Sequence, residues 1–554
     1  MPALTLDHLS FSWPDGSVAL DDVSGSFGDG RTGLVGRNGS GKSTLLRLAA
    51  GELTPTSGRV SAGGADVAYL PQKLTLDTGM RVAELLGVAR PLDAVRAIAD
   101  GDVDPARFDE VGDDWDIEAR AHAALAEAGL APDMLDRTVG ELSGGEAMLA
   151  ALTGVRLSGS AVTLLDEPTN NLDRDARRRV QDLVRSWRGA LVVVSHDLDL
   201  LDLMDETAEL YEHRFTVFGG PYSAWREAVE AEQAAAQQAV TDAKKEVAKE
   251  KRQRIEAETK IARRAKAGKK AAESMPKILA NSLKSASEAT AGRLRAEAQG
   301  KEAEARAALD TAERRIRDDD SVALDLPDPQ VPAGRRILTL GDGERQWIVQ
   351  GPERVALTGP NGSGKTSLLH ALVGASGGAP GHNDVNSASD GPKSGPDDES
   401  TENWRRCVRA SALHTDRVGF LPQRVDGIDE SASALEVVRA AAPAVPDRDL
   451  RNRLARFLIR GDAAHRPVSS LSGGERFRVA IARLVLADPP PQLLVLDEPT
   501  NNLDIDTAEQ LLEALRAYRG AVLIVSHDDA FLRRLAPDLT LELREGSLSE
   551  REID

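Results

Sequence analysis

The amino-acid sequence predicts an α/β protein in which two similar domains are joined by a long helical hairpin. Five short motifs occur twice, in the same order, along the 554 residues. Continuous apolar runs accompany the motifs in each half and are typical of strands buried on both faces of a parallel sheet. The segment between the halves is dominated by alanine, lysine, arginine and glutamate, which favour long helices. We therefore expect domains at residues 1–222 and 328–554 and a charged helical linker at 223–327.

Bulk properties limit the class of protein. Hydrophobic residues make up 41% and charged residues 29% of the chain, as in globular proteins. No apolar run reaches the length of a membrane span, and the amino terminus lacks the pattern of a signal peptide. Cys407 is the only cysteine, which excludes an internal disulfide and a cysteine-built metal cluster. A cytoplasmic protein is expected, and its net charge of -20 argues against nucleic-acid binding over the whole surface but not at one patch.

The duplication defines the strands and loops of each half. The repeated motifs are residues 36–43 and 359–366, 69–72 and 420–423, 142–146 and 471–475, 165–173 and 496–504, and 194–197 and 525–528. Apolar runs at 161–165 and 190–194, and at 493–496 and 521–525, predict parallel strands. In the second half, the stretch at about 376–402 is rich in glycine, serine, aspartate and proline, and we interpret it as a disordered insertion.

The first repeated motif has the pattern G-x-x-x-x-G-K-[ST], which predicts two P-loops. Such a loop wraps backbone N–H groups around phosphates at the start of a helix. Lys42 and Lys365 would hold the β- and γ-phosphates, while the hydroxyls of Ser43 and Thr366 would bind Mg²⁺. The other predicted nucleotide contacts are Gly36, Asn38, Gly39, Gly41, Thr44, Gly359, Asn361, Gly362, Gly364 and Ser367.

Acidic residues follow an apolar strand in each half. Asp166 and Asp497 end these strands, where a carboxylate can reach Mg²⁺ through water. Glu167 and Glu498 come next and are predicted to orient the attacking water as bases. The alternative is that these acids cap the following turn, because proline comes next.

Two further repeated side chains are predicted to complete the chemistry. His196 and His527 follow buried strands and would contact the γ-phosphate, unless they are structural. Gln72 and Gln423 would sense both Mg²⁺ and the attacking water, unless they only anchor their loops.

A Ser-Gly-Gly segment in each half lies far from its own P-loop. Its glycines allow close backbone approach to phosphate, and the helix that follows points its positive end at the anion. We therefore expect each segment to complete a site on the other half. The residues are Ser143, Gly144 and Gly145, and Ser472, Gly473 and Gly474.

Together these motifs resemble the ATP-binding-cassette superfamily, with P-loop, glutamine loop, signature, Walker B, D-loop and switch histidine. The resemblance implies an ATPase that converts ATP and water to ADP and phosphate, with ATP and Mg²⁺ as cofactors. It also implies head-to-tail closure of the two cassettes, which would place Lys42 with Ser472 and Lys365 with Ser143.

Fused cassettes without membrane spans, a long charged linker and the sequence E-P-T-N-x-L-D resemble the ABC-F family. A histidine usual in that family is replaced by Asn171 and Asn502. The resemblance implies a ribosome-binding protein that acts in translation or protects ribosomes from antibiotics. The two cassettes would pair within one chain, so a monomer without membrane insertion is expected.

The linker carries a local positive charge. Residues 259–301 contain 11 lysines and arginines against 3 acids, a balance of +8. No aromatic residue interrupts this stretch, so contact with phosphates rather than base stacking is expected. We expect ribosomal RNA near bound tRNA to be contacted by Arg263, Arg264, Lys266, Lys269 and Lys270. The alternative is a helical hairpin whose charges serve only to solvate it.

The two nucleotide sites differ in their predicted contacts. Trp13 precedes the first P-loop where the family places an aromatic on adenine, although it could instead pack in the core. The second half has no clear counterpart, Trp347 being a weak candidate. Leu149 stands in the first signature helix where Arg478 stands in the second. Both differences fall on the site of Lys365, which is predicted to bind or turn over nucleotide more weakly.

Two other classes of protein share cassettes of this kind. The energy subunit of a transporter would need a separate permease and has no obvious use for a long basic hairpin. A chromosome or DNA-repair ATPase usually has far longer coiled coils or metal-bound cysteines. The sequence leaves open whether the role is in housekeeping translation or in antibiotic resistance.

Overall fold

The computed structural model describes residues 3–72, 77–272, 277–317, 326–374, 399–423, 428–501 and 503–552, with side chains left undescribed at 268–288 and 399–403. By its internal contacts the chain divides into two compact units. One unit contains both predicted cassettes, Met1–Tyr222 with Ser321–Asp554, and the other is Ser223–Asp320. The predicted boundary after residue 327 stays a prediction.

The first cassette is a mixed α/β structure. Its strands are β1 Leu4–Ser12, β2 Val18–Phe27, β3 Arg31–Val35, β4 Ser57–Ser61, β5 Val67–Leu70, β6 Val162–Asp166, β7 Ala190–Val194, β8 Glu206–Tyr211 and β9 Arg214–Phe218. Its helices are α1 Lys42–Ala49, α2 Val82–Leu85, α3 Ala89–Ala99, α4 Pro105–Val111, α5 Ile117–Glu127, α6 Gly144–Leu157, α7 Arg174–Arg185 and α8 Leu198–Leu201, with 3₁₀ turns at Pro132–Asp136 and Val139–Glu141.

The linker forms two helices, α9 Tyr222–Ala272 and α10 Lys277–Glu313. The two helices are antiparallel, because a later residue of α9 pairs with an earlier residue of α10. Lys244 Nζ lies 3.3 Å from Glu313 Oε1, and Arg254 Nε lies 2.6 Å from Glu302 Oε2. Glu302 is only 8% exposed and also pairs with Arg306. These ion pairs fix the register of the two helices.

The second cassette repeats the first. Its strands are β10 Arg336–Gly341, β11 Gln346–Gln350, β12 Arg354–Thr358, β13 Ala412–Leu413, β14 Val418–Leu421, β15 Leu493–Asp497, β16 Ala521–Val525, β17 Leu539–Arg544 and β18 Ser547–Glu550. Its helices are α11 Lys365–Gly374, α12 Glu399–Ala410, α13 Ala434–Ala441, α14 Asp447–Arg456, α15 Gly473–Val485, α16 Ile505–Ala517 and α17 Asp529–Leu535, with 3₁₀ turns at Gly461–His465 and Val468–Ser470.

The sheet order is the same in both cassettes. A six-stranded sheet runs β5-β6-β7-β3-β8-β9 in the first and β14-β15-β16-β12-β17-β18 in the second, parallel except for the last strand. A three-stranded antiparallel sheet, β2-β1-β4 or β11-β10-β13, accompanies each. The predicted fold class is therefore confirmed: two α/β cassettes with long helices between them.

The parallel strands are buried along their whole length. Every residue of β6, β7, β15 and β16 is buried, as the continuous apolar runs predicted. Their carboxyl ends meet at one edge of each sheet, where the motif loops begin, as expected for ligand sites of open α/β sheets. This edge positions the candidate site.

Two predicted features fall partly outside the described residues. Of the insertion expected at 376–402, residues 376–398 lie outside the description, while 399–402 begin helix α12. Among the described residues, no helix is both long and apolar enough to cross a membrane.

Candidate ATP sites between two cassettes

Each P-loop connects a central strand to a helix. The first lies between β3 and α1, and Gly36, Gly39 and Gly41 adopt positive φ there. A Cβ atom on Gly36 would lie 2.5 Å from the backbone oxygen of Leu210, so this position requires glycine. In the second loop, Gly359, Gly362 and Gly364 repeat the same backbone pattern.

The P-loop lysines are buried and held by their own loops. Lys42 Nζ donates to the carbonyl oxygens of Gly36 and Arg37 at 2.6 and 3.0 Å. Lys365 Nζ donates to those of Gly359 and Pro360, both at 2.8 Å. Burial lowers the pKa of both lysines, opposed by nearby carboxylates. The ammonium groups therefore lie inside the loops, where a phosphate chain would be held.

The predicted Mg²⁺ residues meet at the end of the central strands. Asp166 ends β6 and Asp497 ends β15, each beside the hydroxyl of its own P-loop, Ser43 and Thr366. Burial raises the pKa of both aspartates. Asp166 Oδ1 and both carboxylate oxygens of Asp497 are buried without a hydrogen-bond partner among the described residues. Such hard oxygen donors beside a P-loop hydroxyl fit Mg²⁺, which takes one or two protein carboxylates and completes its shell with phosphates and water.

The glutamate and histidine of each half are brought together. His196 Nε2 lies 3.2 Å from Glu167 Oε1, and the backbone N–H of His196 donates to Glu167 Oε2 at 3.2 Å. His527 and Glu498 repeat both contacts, at 3.4 and 3.3 Å. Both glutamates adopt positive φ, 53° and 48°, which aims their side chains at the switch loop.

Burial favours the neutral forms of these pairs. It raises the pKa of Glu167 to about 8 and that of Glu498 to about 7. It lowers the pKa of both His196 and His527 to about 3, helped by the adjacent P-loop lysine. A carboxyl whose pKa is poised near neutrality suits a residue that takes a proton from water.

Gln72 and Gln423 are exposed, each two residues after the end of a strand, β5 and β14. Gln72 lines a cavity of about 70 Å³ together with Asn38, Glu167 and His196. Gln423 is exposed two residues after β14, and the residues that follow it are outside the described part of the chain. The structure thus brings Gln72 to the first site and fixes only the strand end that carries Gln423.

The signature segments begin helices, as predicted. Ser143 caps α6 and Ser472 caps α15, each in a reciprocal box with the glutamate three residues later. Gly145 and Gly474 pack against the helix that follows the D-loop of their own cassette, opposite Ala176 and Thr507. At both helix amino termini the serine and the first glycine of the segment are exposed.

The D-loop of each cassette contacts the P-loop of the other, and the sequence analysis did not assign these D-loop contacts. Asp504 Oδ2 accepts a hydrogen bond from the backbone N–H of Asn38 in the opposite P-loop at 2.9 Å. Asp173 Oδ2 accepts one from Asn361 at 3.3 Å, and Asn361 Nδ2 donates to the Asn171 carbonyl at 3.2 Å. Asn502 lies outside the described residues. The sequence signal for the D-loop contacts was that Leu172-Asp173 recurs as Leu503-Asp504 at the end of the repeated segment.

Charged residues of the second cassette lie close to the first P-loop. Arg37 Nε lies 3.5 Å from Asp506 Oδ2. Arg478, on the second signature helix, is close enough to Asp504 and Arg37 for their charges to act on its pKa. Its counterpart Leu149 is 1% exposed and belongs to the apolar core. The unequal signature helices predicted from the sequence therefore have unequal surroundings.

The aromatic residues are placed differently in the two halves. Trp13 is half-buried and packs edge-on against Phe11, 5.0 Å between ring centroids. Trp347 donates its indole N–H to Glu550 at 2.8 Å. Trp404 of α12 contacts the second P-loop: a Cβ on Gly364 would lie 2.6 Å from Trp404 Cβ. At the equivalent Gly41 of the first loop, a Cβ atom would instead meet strand β2, 2.7 Å from the backbone oxygen of Ala19.

The predicted RNA-contacting residues lie on the linker. Arg263, Arg264 and Lys266 are exposed on α9. The side chains of Lys269 and Lys270 lie outside the described part of the structure.

Fold and site together define a tandem-cassette P-loop nucleotide-binding protein. The family model described as "ABC transporter" matches residues 20–170 and 344–501. The chain is 32% identical to the "Tylosin resistance ATP-binding protein TlrC" of Streptomyces fradiae, over 97% of this chain and 96% of that protein. It is 27% identical to the "ATP-binding cassette sub-family F member 3" of Mus musculus, over 94% of this chain and 68% of that protein.

A solved structure supports the same fold. It is titled as the complex of archaeal ribosomal stalk protein aP1 and archaeal ribosome recycling factor aABCE1, with a TM-score of 0.55 and 19% identity over 98% of this chain and 89% of that one. The chain therefore belongs to the ABC-F family of the ATP-binding-cassette superfamily. Its cassettes bind ATP, and it is an ATP hydrolase.

Proposed function

We propose that this ATPase binds the ribosome and uses ATP-driven closure of its cassettes to position its hairpin near the tRNA and peptidyl-transferase region. The role would be antibiotic resistance by ribosome protection or regulation of translation. The observation that carries the proposal is the charge of the hairpin, +8 over residues 259–301 in a chain of -20. The name of the Streptomyces fradiae relative, a tylosin resistance protein that matches nearly end to end, supports it.

The hairpin has the dimensions of a probe. Helix α9 has 51 residues, which corresponds to roughly 75 Å at 1.5 Å per residue. Ion pairs join it to α10, between Lys244 and Glu313 and between Arg254 and the buried Glu302. Exposed Arg263, Arg264 and Lys266 lie beyond these pairs in α9 and are presented to solvent. Their charges suit phosphates of ribosomal RNA.

In the proposed reaction, ATP lies between the P-loop of one cassette and the signature of the other. One site is defined by Lys42 with Ser472 and the other by Lys365 with Ser143. In each site, the glycines of the P-loop and of the signature segment would supply backbone N–H groups to the phosphates. Water attacks the γ-phosphorus, and the bond to the β–γ bridging oxygen breaks. Glu167 or Glu498 orients this water and accepts its proton, while His196 or His527 contacts the γ-phosphate.

Mg²⁺ would be held by Ser43, Asp166 and Gln72 in one site and by Thr366, Asp497 and Gln423 in the other. When bound, it neutralises charge on the β- and γ-phosphate oxygens. The protein's own contribution is to present buried carboxylate oxygens that have no other partner among the described residues. Thr44 and Ser367 follow the metal hydroxyls and would contact the α-phosphate side of the nucleotide.

Trp404 is proposed to contact the nucleotide base in the Lys365 site, in place of the aromatic residue that the first cassette carries before its P-loop. Trp404→Ala is expected to raise the KM for ATP at that site about tenfold, because one stacked ring contributes about 1–3 kcal/mol. KM is measured in a Glu167→Gln background, where hydrolysis is confined to the Lys365 site. Trp404→Phe should retain most of the affinity, and Trp115→Ala, an exposed tryptophan of the first cassette, should change nothing. An unchanged or lower KM in Trp404→Ala contradicts the proposal.

The hairpin is tested by neutralising charge. Replacing Arg263, Arg264, Lys266, Lys269 and Lys270 by glutamine is expected to weaken ribosome binding at least about tenfold at physiological salt. It should also flatten the dependence of log affinity on log salt by about 3 to 5 units, since five phosphate contacts are removed. ATP hydrolysis without ribosomes should be unchanged. Co-sedimentation with purified ribosomes at several salt concentrations measures both quantities.

A control removes four charges elsewhere on α9 without touching the ion pairs that join it to α10. Lys245, Lys249, Lys251 and Arg252 lie nearer the start of the helix and are exposed. Their replacement by glutamine should affect ribosome binding much less. Equal weakening by both variants, or none by either, contradicts the proposed contact. Co-sedimentation of the native protein with membranes instead of ribosomes would favour a transporter subunit.

A further inference from the structure

The aromatic residue that opens the glutamine-loop motif differs between the two repeats. It is Tyr69 in the first cassette and Phe420 at the corresponding position of the second. Tyr69 lies on β5 and Phe420 on β14, the edge strands that pair with β6 and β15. These neighbouring strands end in Asp166 and Asp497, the aspartates proposed to bind Mg²⁺. The two aromatic side chains thus differ by one hydroxyl group beside a candidate metal site.

The strand register places each aromatic ring near the aspartate of its own cassette. Tyr69 is paired with the residue two positions before Asp166, and Phe420 with the residue two positions before Asp497. Side chains two residues apart on a strand point to the same face of the sheet, and so do paired residues of parallel neighbours. Ring and carboxylate therefore share one face at the carboxyl edge of both sheets.

In the first cassette the hydroxyl group reaches the aspartate. The Tyr69 hydroxyl donates a hydrogen bond to Asp166 Oδ2 at 3.4 Å, at the long end of the range for such a bond. Asp166 Oδ1 is buried and has no partner within the described part of the chain. For Asp497, both carboxylate oxygens are in that position. One oxygen of Asp166 is thus held by the protein and the other is left available, whereas neither oxygen of Asp497 is held.

The second cassette holds its ring in a different way. His370 of α11 packs edge-on against Phe420, with 5.0 Å between the ring centroids. Alignment of the two P-loops makes Arg47 of α1 the counterpart of His370. Arg47 pairs with Glu52 at 3.2 Å instead of stacking on the tyrosine. The phenylalanine is therefore supported by an aromatic contact, and the tyrosine directs a polar group at its aspartate.

The apolar role of the ring is common to both cassettes. Tyr69 and Phe420 are both partly buried, and each packs against the hydrophobic core of its own cassette. Core packing therefore explains why an aromatic residue occurs at both positions. It does not explain the hydroxyl group, which contacts Asp166 and which phenylalanine lacks.

We propose that Tyr69 is a positioning residue for the metal ion of the Lys42 site, and that the Lys365 site lacks such a group. By donating to Oδ2, its hydroxyl fixes the orientation of the Asp166 carboxylate and leaves Oδ1 for Mg²⁺ or a water molecule of its shell. Groups that hydrogen-bond a metal-binding side chain typically change metal affinity by about 10- to 100-fold. The Lys42 site is therefore expected to fill at lower Mg²⁺ concentration than the Lys365 site.

The inference rests on the proposed role of Asp166 in binding Mg²⁺ and is independent of ribosome binding. Each site is measured alone, without ribosomes and without hydrolysis. Glu167→Gln with Lys365→Ala leaves ATP at the Lys42 site, and Glu498→Gln with Lys42→Ala leaves it at the Lys365 site. Retention of labelled ATP by each protein is followed over a series of Mg²⁺ concentrations. Two quantities are read: the Mg²⁺ concentration that gives half of the retention, and the retention at saturating Mg²⁺.

In the protein that retains ATP at the Lys42 site, Tyr69→Phe is expected to raise the half-saturating Mg²⁺ concentration about tenfold. Retention at saturating Mg²⁺ should be unchanged, because the ring remains. In the other protein, Phe420→Tyr should lower the half-saturating concentration at least about threefold, a gain that packing alone does not produce. Tyr518→Phe is the matched control, since it removes a buried hydroxyl that donates to the Pro491 carbonyl at 2.6 Å, before the start of β15. It should change neither quantity.

Three results would overturn the proposal. The first is a half-saturating Mg²⁺ concentration that Tyr69→Phe leaves unchanged. The second is a loss of retention in Tyr69→Phe that saturating Mg²⁺ does not restore, which would show that the hydroxyl serves the fold and not the metal. The third is a Phe420→Tyr protein that folds and retains ATP but gains nothing, which would remove the proposed difference between the sites. If Phe420→Tyr does not fold, the result for Tyr69→Phe decides.

Discussion

Replacing both Glu167 and Glu498 by glutamine is expected to reduce ATP turnover by at least about 100-fold while leaving ATP binding intact. Each side chain lies within 3.4 Å of its switch histidine and ends in a buried site, where it is placed to accept a proton from water. Glutamine keeps the size and the hydrogen bond from the histidine N–H but cannot take the proton. Phosphate release measures turnover, and retention of labelled ATP by the protein measures binding.

If the proposed closure is right, the double variant should accumulate with two ATP molecules and closed cassettes, because it binds ATP but cannot hydrolyse it. If the ribosome proposal is right, it should also remain on ribosomes in the presence of ATP. Glu127→Gln changes an exposed carboxylate of the first cassette and should behave like the native protein. Loss of ATP binding in the double variant would point to a role in nucleotide binding instead.

The single variants test whether the two sites are unequal. The signature helix proposed to complete the Lys365 site carries buried Leu149 where the other carries Arg478. We therefore expect Glu167→Gln, which leaves only the Lys365 site active, to lose more turnover than Glu498→Gln. The contact proposed for Trp404 would act in the opposite sense, because it would add affinity for nucleotide at the Lys365 site. Equal loss from the two single variants would contradict the predicted inequality.

The sequence was sufficient for the parts of the site that are local along the chain. Residues 31–49 specify a strand, a glycine turn and a helix that buries Lys42, because each step depends on neighbouring residues. The fully apolar runs likewise predicted β6 and β7, since burial on both faces leaves no room for alternation.

Contacts between segments that are distant along the chain could not be predicted from local sequence patterns. The hydrogen bond from Asn38 to Asp504 spans 466 positions, and no periodicity states which surfaces of two domains meet. Trp404 belongs to a helix that follows an insertion without a counterpart in the first half, so the repeat gave no position for it. Arg177 stands in a run of arginines whose composition suggests only a solvated helix face, yet it lines cavities beside both His196 and His527.

Removing the carboxylate of Asp342 is expected to destabilise the second cassette by about 2–4 kcal/mol, the cost of leaving several buried donors without an acceptor. Asp342 is 2% exposed and follows β10. It accepts hydrogen bonds from the N–H groups of Glu344 and Arg345 at 2.9 and 2.8 Å. It also accepts them from Leu548 N and Ser547 Oγ at 3.1 and 3.2 Å. This carboxylate thus ties the β10–β11 turn to the β17–β18 hairpin.

Hydrogen exchange of the full chain separates this effect from global unfolding. In Asp342→Ala, amides of β17 and β18 should exchange faster, whereas those of β8 and β9 in the first cassette should not. Asp15→Ala is the matched control, because Asp15 lies in the equivalent β1–β2 turn, is exposed and bonds only Ser17. Protection of β17 and β18 that is equal in both variants would contradict the assigned bridge.

The same carboxylate predicts a pH dependence. Burial alone would raise the pKa of Asp342, but the four hydrogen bonds outweigh it and lower the pKa from 3.8 to about 2. Since the folded-state pKa lies below the unfolded one, the ionised form stabilises the fold by about 2 kcal/mol above pH 4, and this is lost as the pH falls towards 2. The difference in urea midpoint between the native protein and Asp342→Asn should therefore be large at pH 6 and shrink as the pH falls towards 3. A difference that stays constant over this interval would show that the charge of Asp342 does not contribute.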